Sequence, residues 1–147
     1  DRLSLVHELT HHLIYRLQGV FDDLITPGHL GAKVTVAKAY LKDISTLRRE
    51  ISDAPLRKRS LHILKNFREQ KQMLARLQDI LNYTGAKSIK ISSSKKVQEE
   101  VLAETIAMFA TKTTPRKQSK NLFLIYKIFI TRLKAHIHHN TPKKTVL

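Results

Sequence analysis

The residues best suited to chemistry stand near the start of the chain, in His7-Glu8-Leu9-Thr10-His11. Histidines four apart share one face of a helix, so their imidazoles can hold a single cation with the intervening carboxylate beside it. A third ligand would come from His29 or from the group His136, His138 and His139. A different chemistry is carried by Arg132 ahead of His138 and by Arg57 ahead of His62. In such pairs a guanidinium stabilises phosphoryl charge while an imidazole moves protons, as RNA cleavage requires.

Helices must position these residues, because Gly and Pro divide the chain into five stretches with helical periodicity. Val6, Leu9, Leu13, Leu17, Val20 and Leu24 form an apolar stripe along a first helix from about Leu3 to Ile25, ended by Thr26-Pro27-Gly28. In that projection His7 and His11 lie well away from the stripe, and no metal or cofactor is assigned to them. A second helix spans about Lys33 to Ser52. A third begins at Pro55 and runs to Tyr83, with Gly85 suited to its C-terminal cap. Residues 84–93 read as a loop, with room for a short extended piece over Ser88 to Ile91. Ser94 is suited to cap a fourth helix that continues to about Ala110.

Thr113-Thr114-Pro115 opens a fifth helix to about His138, apolar around most of its circumference from Leu122 to Leu133. Such a helix belongs at the centre of a bundle or at an oligomer interface, so residues 118–138 are where a homo-oligomer would form. The expected fold is therefore all-α, a single compact bundle of about five mostly antiparallel helices over residues 1–139, with a basic tail at 140–147.

His7 to His11 resembles the signature of the zincin metalloproteases over five residues. That resemblance implies a buried zinc helix and a sheet whose edge strand holds substrate, and no strand run is evident in this chain. The Arg132/His138 and Arg57/His62 spacings are similar to the R-x(4–6)-H pattern of HEPN ribonuclease domains, which are also small helical bundles.

Composition excludes several other classes. The chain has no cysteine, which removes disulfide scaffolds, thiolate metal sites and thiol nucleophiles. With four glycines it carries no glycine-rich phosphate loop, and no apolar run reaches membrane-spanning length. A first residue of Asp1 reads as a processed product or a fragment.

Charge gives the leading expectation. Lys and Arg number 27 against 12 Asp and Glu, a net +15. Residues 1–53 balance to zero, whereas 54–83 carry +5 and 112–147 carry +9. Three predicted helices open on cations, where the helix dipole disfavours them. These are Arg57, Lys58 and Arg59 with His62 nearby; Lys95 and Lys96 after Ser94; and Arg116, Lys117 and Lys120 after Thr114. A bound phosphate would reverse the penalty, since free N–H groups, hydroxyls and cations would all face it. The sequence thus reads as a non-enzymatic basic module for phosphate-bearing polyanions, first nucleic acid backbone with little base specificity. The second expectation is an anionic phosphoinositide membrane, with headgroup phosphates at the basic helix ends, and the third a HEPN-like ribonuclease.

Overall fold

The computed structural model describes residues 1–27, 34–53, 61–112 and 117–140. Five α-helices pack into one bundle, and no strand occurs among the described residues: α1 (Arg2–Arg16), α2 (Val36–Asp53), α3 (Leu61–Thr84), α4 (Lys95–Ala110) and α5 (Lys120–Asn140). No described helix is long and apolar enough to cross a membrane.

The helix ends follow from local chemistry. The Asp1 carboxylate caps α1 by accepting from the N–H groups of Leu3 (2.7 Å) and Ser4 (3.3 Å). Thr35 caps α2 by accepting from Lys38 N–H at 3.1 Å. The first helix stops at Arg16 rather than near Ile25, because the chain turns through Gly19 at φ +87°, a left-handed conformation that glycine adopts without steric cost. After that turn a single 3₁₀ turn (Asp22–Leu24) directs Phe21, Leu24 and Ile25 into the core. Three contacts fasten this segment. Phe21 stacks on Phe129 with ring centroids 4.2 Å apart, Arg132 forks onto the Asp23 carboxylate at 2.5 and 2.8 Å, and Gln98 donates to the Thr26 carbonyl at 2.9 Å.

Gly85, at φ +69°, ends α3 as expected, with Ala86 N–H returning to the Leu81 carbonyl. The segment read as a loop with an extended piece is instead a 3₁₀ helix over Ser88–Ser93. Its tight turns bring Ile91 into the core against α2 and α4, which an extended strand over the same residues would not do.

The central position belongs to α4 rather than to the apolar α5, for α4 alone packs against all four other helices. Nine of its 16 residues are buried, and small Ala103 and Ala107 let neighbours approach closely. By contrast α5 buries Leu122, Ile125 and Phe129 against α2 and α4 and leaves Leu124 and Ile137 exposed.

The start of α5 shows how a buried charge is satisfied. Asp43 of α2 is 3% exposed, and its carboxylate accepts from Leu122 N–H (2.8 Å), Asn121 N–H (3.2 Å) and the Asn121 side-chain amide (2.8 Å). Burial pushes this carboxyl above the ordinary aspartate range, and the three donors pull the other way. The dipole end of α5 is thus answered by a carboxylate of the chain itself.

Candidate metal centre

Helix α1 presents a different face to the core than its leucines suggest. His7, Thr10 and Ile14 are its buried residues, while Leu5 and Leu9 are 69% and 52% exposed. The inward face is turned by part of one residue step from the Val/Leu stripe, which brings His7 against α4. Thr10 is at ease there because its hydroxyl returns to the Val6 carbonyl at 2.7 Å.

Opposite α1, the antiparallel α4 supplies Glu99, Glu100 and Glu104. The Nε2 atoms of His7 and His11 lie 3.1 Å apart, and Glu100 reaches both, with one oxygen 3.1 Å from His7 Nε2 and the other 3.0 Å from His11 Nε2. Each ring is held from behind by a carboxylate, His7 Nδ1 by Glu104 at 2.7 Å and His11 Nδ1 by Glu99 at 3.1 Å. Arg76 of α3 contacts the second oxygen of Glu104 at 3.4 Å and so fixes it in turn. The rings meet edge to face, and Tyr83 stands over His7 in the same manner at 6.0 Å between centroids.

This arrangement constrains the protons. With both Nδ1–H groups donated to carboxylates, the two Nε2 atoms face one another across 3.1 Å. Two lone pairs at that separation repel, so positive charge must lie between the rings and Glu100. Protons on the nitrogens can supply it, and the same three side chains could hold a single divalent cation in their place. Donors about 3 Å apart have the separation of ligands sharing one ion at about 2.0–2.2 Å, and His/His/carboxylate is a zinc donor set. The carboxylates on Nδ1 complete the outer arrangement that fixes tautomer and ring angle in such sites.

The hydrogen bond to Glu104 holds the His7 ring above the ordinary histidine range, against the opposing effect of burial and with Glu100 adding to it. A raised folded-state value means that His7 contributes stability fully below its unfolded value of about 6.5 and loses that contribution as pH rises through the folded one. Thermal melts of the metal-free chain are therefore expected to fall from about pH 6.5 upward, and His7→Gln is expected to flatten that limb.

The structure brings His7 and His11 together with three acids that sequence reading did not assign. The third ligand position falls to Glu100 rather than to a histidine: His136 and His138 lie on α5, and His29 is outside the described residues. A signal did exist, since Glu100 and Glu104 are four apart on one face of a helix whose other positions are mostly buried. The short acidic helix face was obscured by a segment charge of +1.

The residues expected to bind phosphate are distributed otherwise. Ser94 caps α4, accepting from Val97 N–H at 3.4 Å, and Lys95 lies 3.5 Å from Asp22. Lys96, His62, Lys117 and Lys120 are exposed at or near the starts of α4, α3 and α5. Arg57, Lys58, Arg59, Thr114 and Arg116 lie outside the described residues. Of the Arg/His pairs, Arg132 is committed to Asp23 and the Val20 carbonyl, and it holds the Asp23 carboxyl below the usual range. Compared with protein family models, with curated proteins and with solved structures, the chain matches none.

Proposed function

We propose that this chain is a zinc-dependent hydrolase acting on peptide bonds, with His7, His11 and Glu100 as metal ligands and Glu8 as general base. One observation carries the reading: two Nε2 atoms and a carboxylate converge at 3.0–3.1 Å while both Nδ1 atoms are held by further carboxylates. The five-residue resemblance of His7–His11 to the zincin signature points the same way, without the substrate-holding sheet that it implies, which does not occur among the described residues. A bound zinc ion would supply Lewis acidity, making water a nucleophile at neutral pH and polarising the carbonyl under attack.

The remaining work falls to side chains. Glu8 is exposed and lines a cleft of about 120 Å³ with His7, Tyr83 and Glu104, so its carboxylate can accept a proton from water and return it to the leaving amine. Glu104 and Glu99 keep the imidazoles in the tautomer that directs Nε2 at the ion. Zinc titration with elemental analysis is expected to give one ion per chain, released on acidification as protons reclaim the nitrogens. His11→Ala is expected to abolish stoichiometric binding. Unchanged zinc content in that variant would end the proposal.

A second reading is favoured by the +15 net charge gathered into residues 54–83 and 112–147. It keeps the polyanion partner, nucleic acid first and phosphoinositide membrane second, on a surface separate from the acidic α1–α4 seam. Binding at physiological salt to random duplexes and to liposomes carrying phosphoinositide isomers distinguishes the two. Isomer-selective liposome binding would identify the membrane, and equal salt-labile binding to everything would leave no specific polyanion partner.

A further inference from the structure

The metal-ligand cluster is the middle of a longer feature. Two clefts border it, one between α3 and α4 and the other between α1 and the start of α4. Towards the start of α1, the Tyr83 side is walled by Arg76, Asp79 and Ile80 and encloses about 150 Å³, sharing Glu100 and Glu104 with the cluster. Towards the end of α1, the second cleft encloses about 280 Å³ over an apolar floor of Ile14 and Ile25. Tyr15, Gln18 and Lys95 rim it, and it shares Glu99 with the cluster. The cluster therefore stands between the two clefts, bordering one at Glu100 and Glu104 and the other at Glu99. Each is walled by an exposed tyrosine, Tyr83 at 73% and Tyr15 at 71% exposure.

Length and charge narrow what such a seam can hold. From Ser4 to Tyr15 the helix rises about 16 Å, the span of roughly five residues of extended polypeptide. Half of the chain's 12 acidic residues line the seam: Glu8, Asp22, Asp79, Glu99, Glu100 and Glu104. Only Arg76 and Lys95 oppose them among the lining residues, so even a divalent ion leaves the seam negative. A phosphate backbone is repelled from such a surface, whereas peptide groups find an amide, two phenols and apolar floors.

We propose that the seam binds an extended polypeptide of neutral or basic character across the His7–His11–Glu100 centre, with a Tyr83 subsite on one side and a Tyr15–Gln18 subsite on the other. The proposal rests on the metal-dependent reading and adds the substrate's shape and charge to it.

The test uses the zinc-loaded chain and calorimetry, with acetohydroxamate as a probe of the centre alone. Lysine-containing tripeptides bearing a hydroxamate at the C-terminal end probe one side, and the same tripeptides bearing it at the N-terminal end probe the other. Both series are expected to bind at least about tenfold tighter than acetohydroxamate, and glutamate in place of lysine to remove most of that gain. Tyr15→Ala is expected to weaken one series and leave acetohydroxamate unaffected, and Tyr83→Ala to weaken the other series more than it weakens acetohydroxamate. Both tyrosines are exposed, so neither change threatens the fold. Tripeptides no tighter than acetohydroxamate, a preference for glutamate, or both variants acting on one series would overturn the two-sided cleft while leaving the metal centre standing. Failure of zinc and of acetohydroxamate to bind would overturn the centre and the cleft together.

Discussion

Glu8→Gln is expected to keep one zinc ion per chain and to lower peptide hydrolysis by about two to four orders of magnitude, the usual contribution of a positioned general base. The contrast with its neighbours makes the result informative. Glu8 is exposed and belongs to none of the contacts that hold His7 and His11, so the amide leaves the ligands where they are. Glu100→Ala removes a ligand and is expected to lose the ion and the activity together. Glu104→Gln lies between: it retains an acceptor for His7 Nδ1–H but not its charge, and a 10–100-fold loss of zinc affinity is the expected scale. Parallel measurement of zinc content and kcat/KM across the three variants separates base, ligand and support. Full activity in Glu8→Gln would remove the general base from the scheme.

The largest effect on stability is expected from Asp43→Ala, a loss of about 1–3 kcal/mol for each donor left unpaired. The substitution strands the buried N–H of Leu122 and the half-buried N–H and amide of Asn121, besides opening a small void. For a domain of this size the melting temperature should drop by roughly 10 °C or more. Asp43→Asn is expected to recover part of the loss, because its amide oxygen still accepts on one side while its N–H groups meet a donor on the other. Denaturant unfolding of the three proteins measures the difference. A variant within about 0.5 kcal/mol of the parent would mean that the start of α5 finds other acceptors.

Most of the fold is legible from periodicity and punctuation, and the failures have identifiable causes. Ser94 and Gly85 do at their helix ends what their residue types require. The first helix was read too long because Val20 and Leu24 continue the apolar spacing beyond Gly19. They do so from a turn and a 3₁₀ segment that periodicity does not distinguish from a helix. Its inward face was misplaced for a subtler reason. A leucine stripe marks the core only when nothing on the opposing helix competes, and three glutamates on α4 attract the histidine side of α1 instead. Of the two places expected for the apolar fifth helix, the centre goes to α4, because apolar content measures burial only when packing is even. α4 takes the centre with several small and polar residues, of which Thr105 returns its hydroxyl to the Val101 carbonyl and Gln98 donates its amide to the Thr26 carbonyl.

The cluster remained hidden because its parts lie far apart in sequence. His7 and Glu104 are separated by 97 positions, and no local pattern joins them. Net charge by segment also concealed the acids, since Lys95 and Lys96 offset Glu99 and Glu100 within one helix.

The packing of α1 gives the cluster a second significance. α2, α3, α4 and α5 brace one another, whereas α1 rests almost wholly on α4. Its C-terminal end is moored by Phe21, Asp23 and Thr26, so the N-terminal half is the part free to lift. His7 sits in that half and His11 just past the midpoint of the helix, so a bound ion would rivet the strip to a rigid block. Chelation would then act mechanically as well as chemically: α1 would swing out on its mooring and uncover the acidic side of α4. Occupancy of the centre would set how firmly the first 15 residues or so of the chain are shut against proteases and solvent exchange.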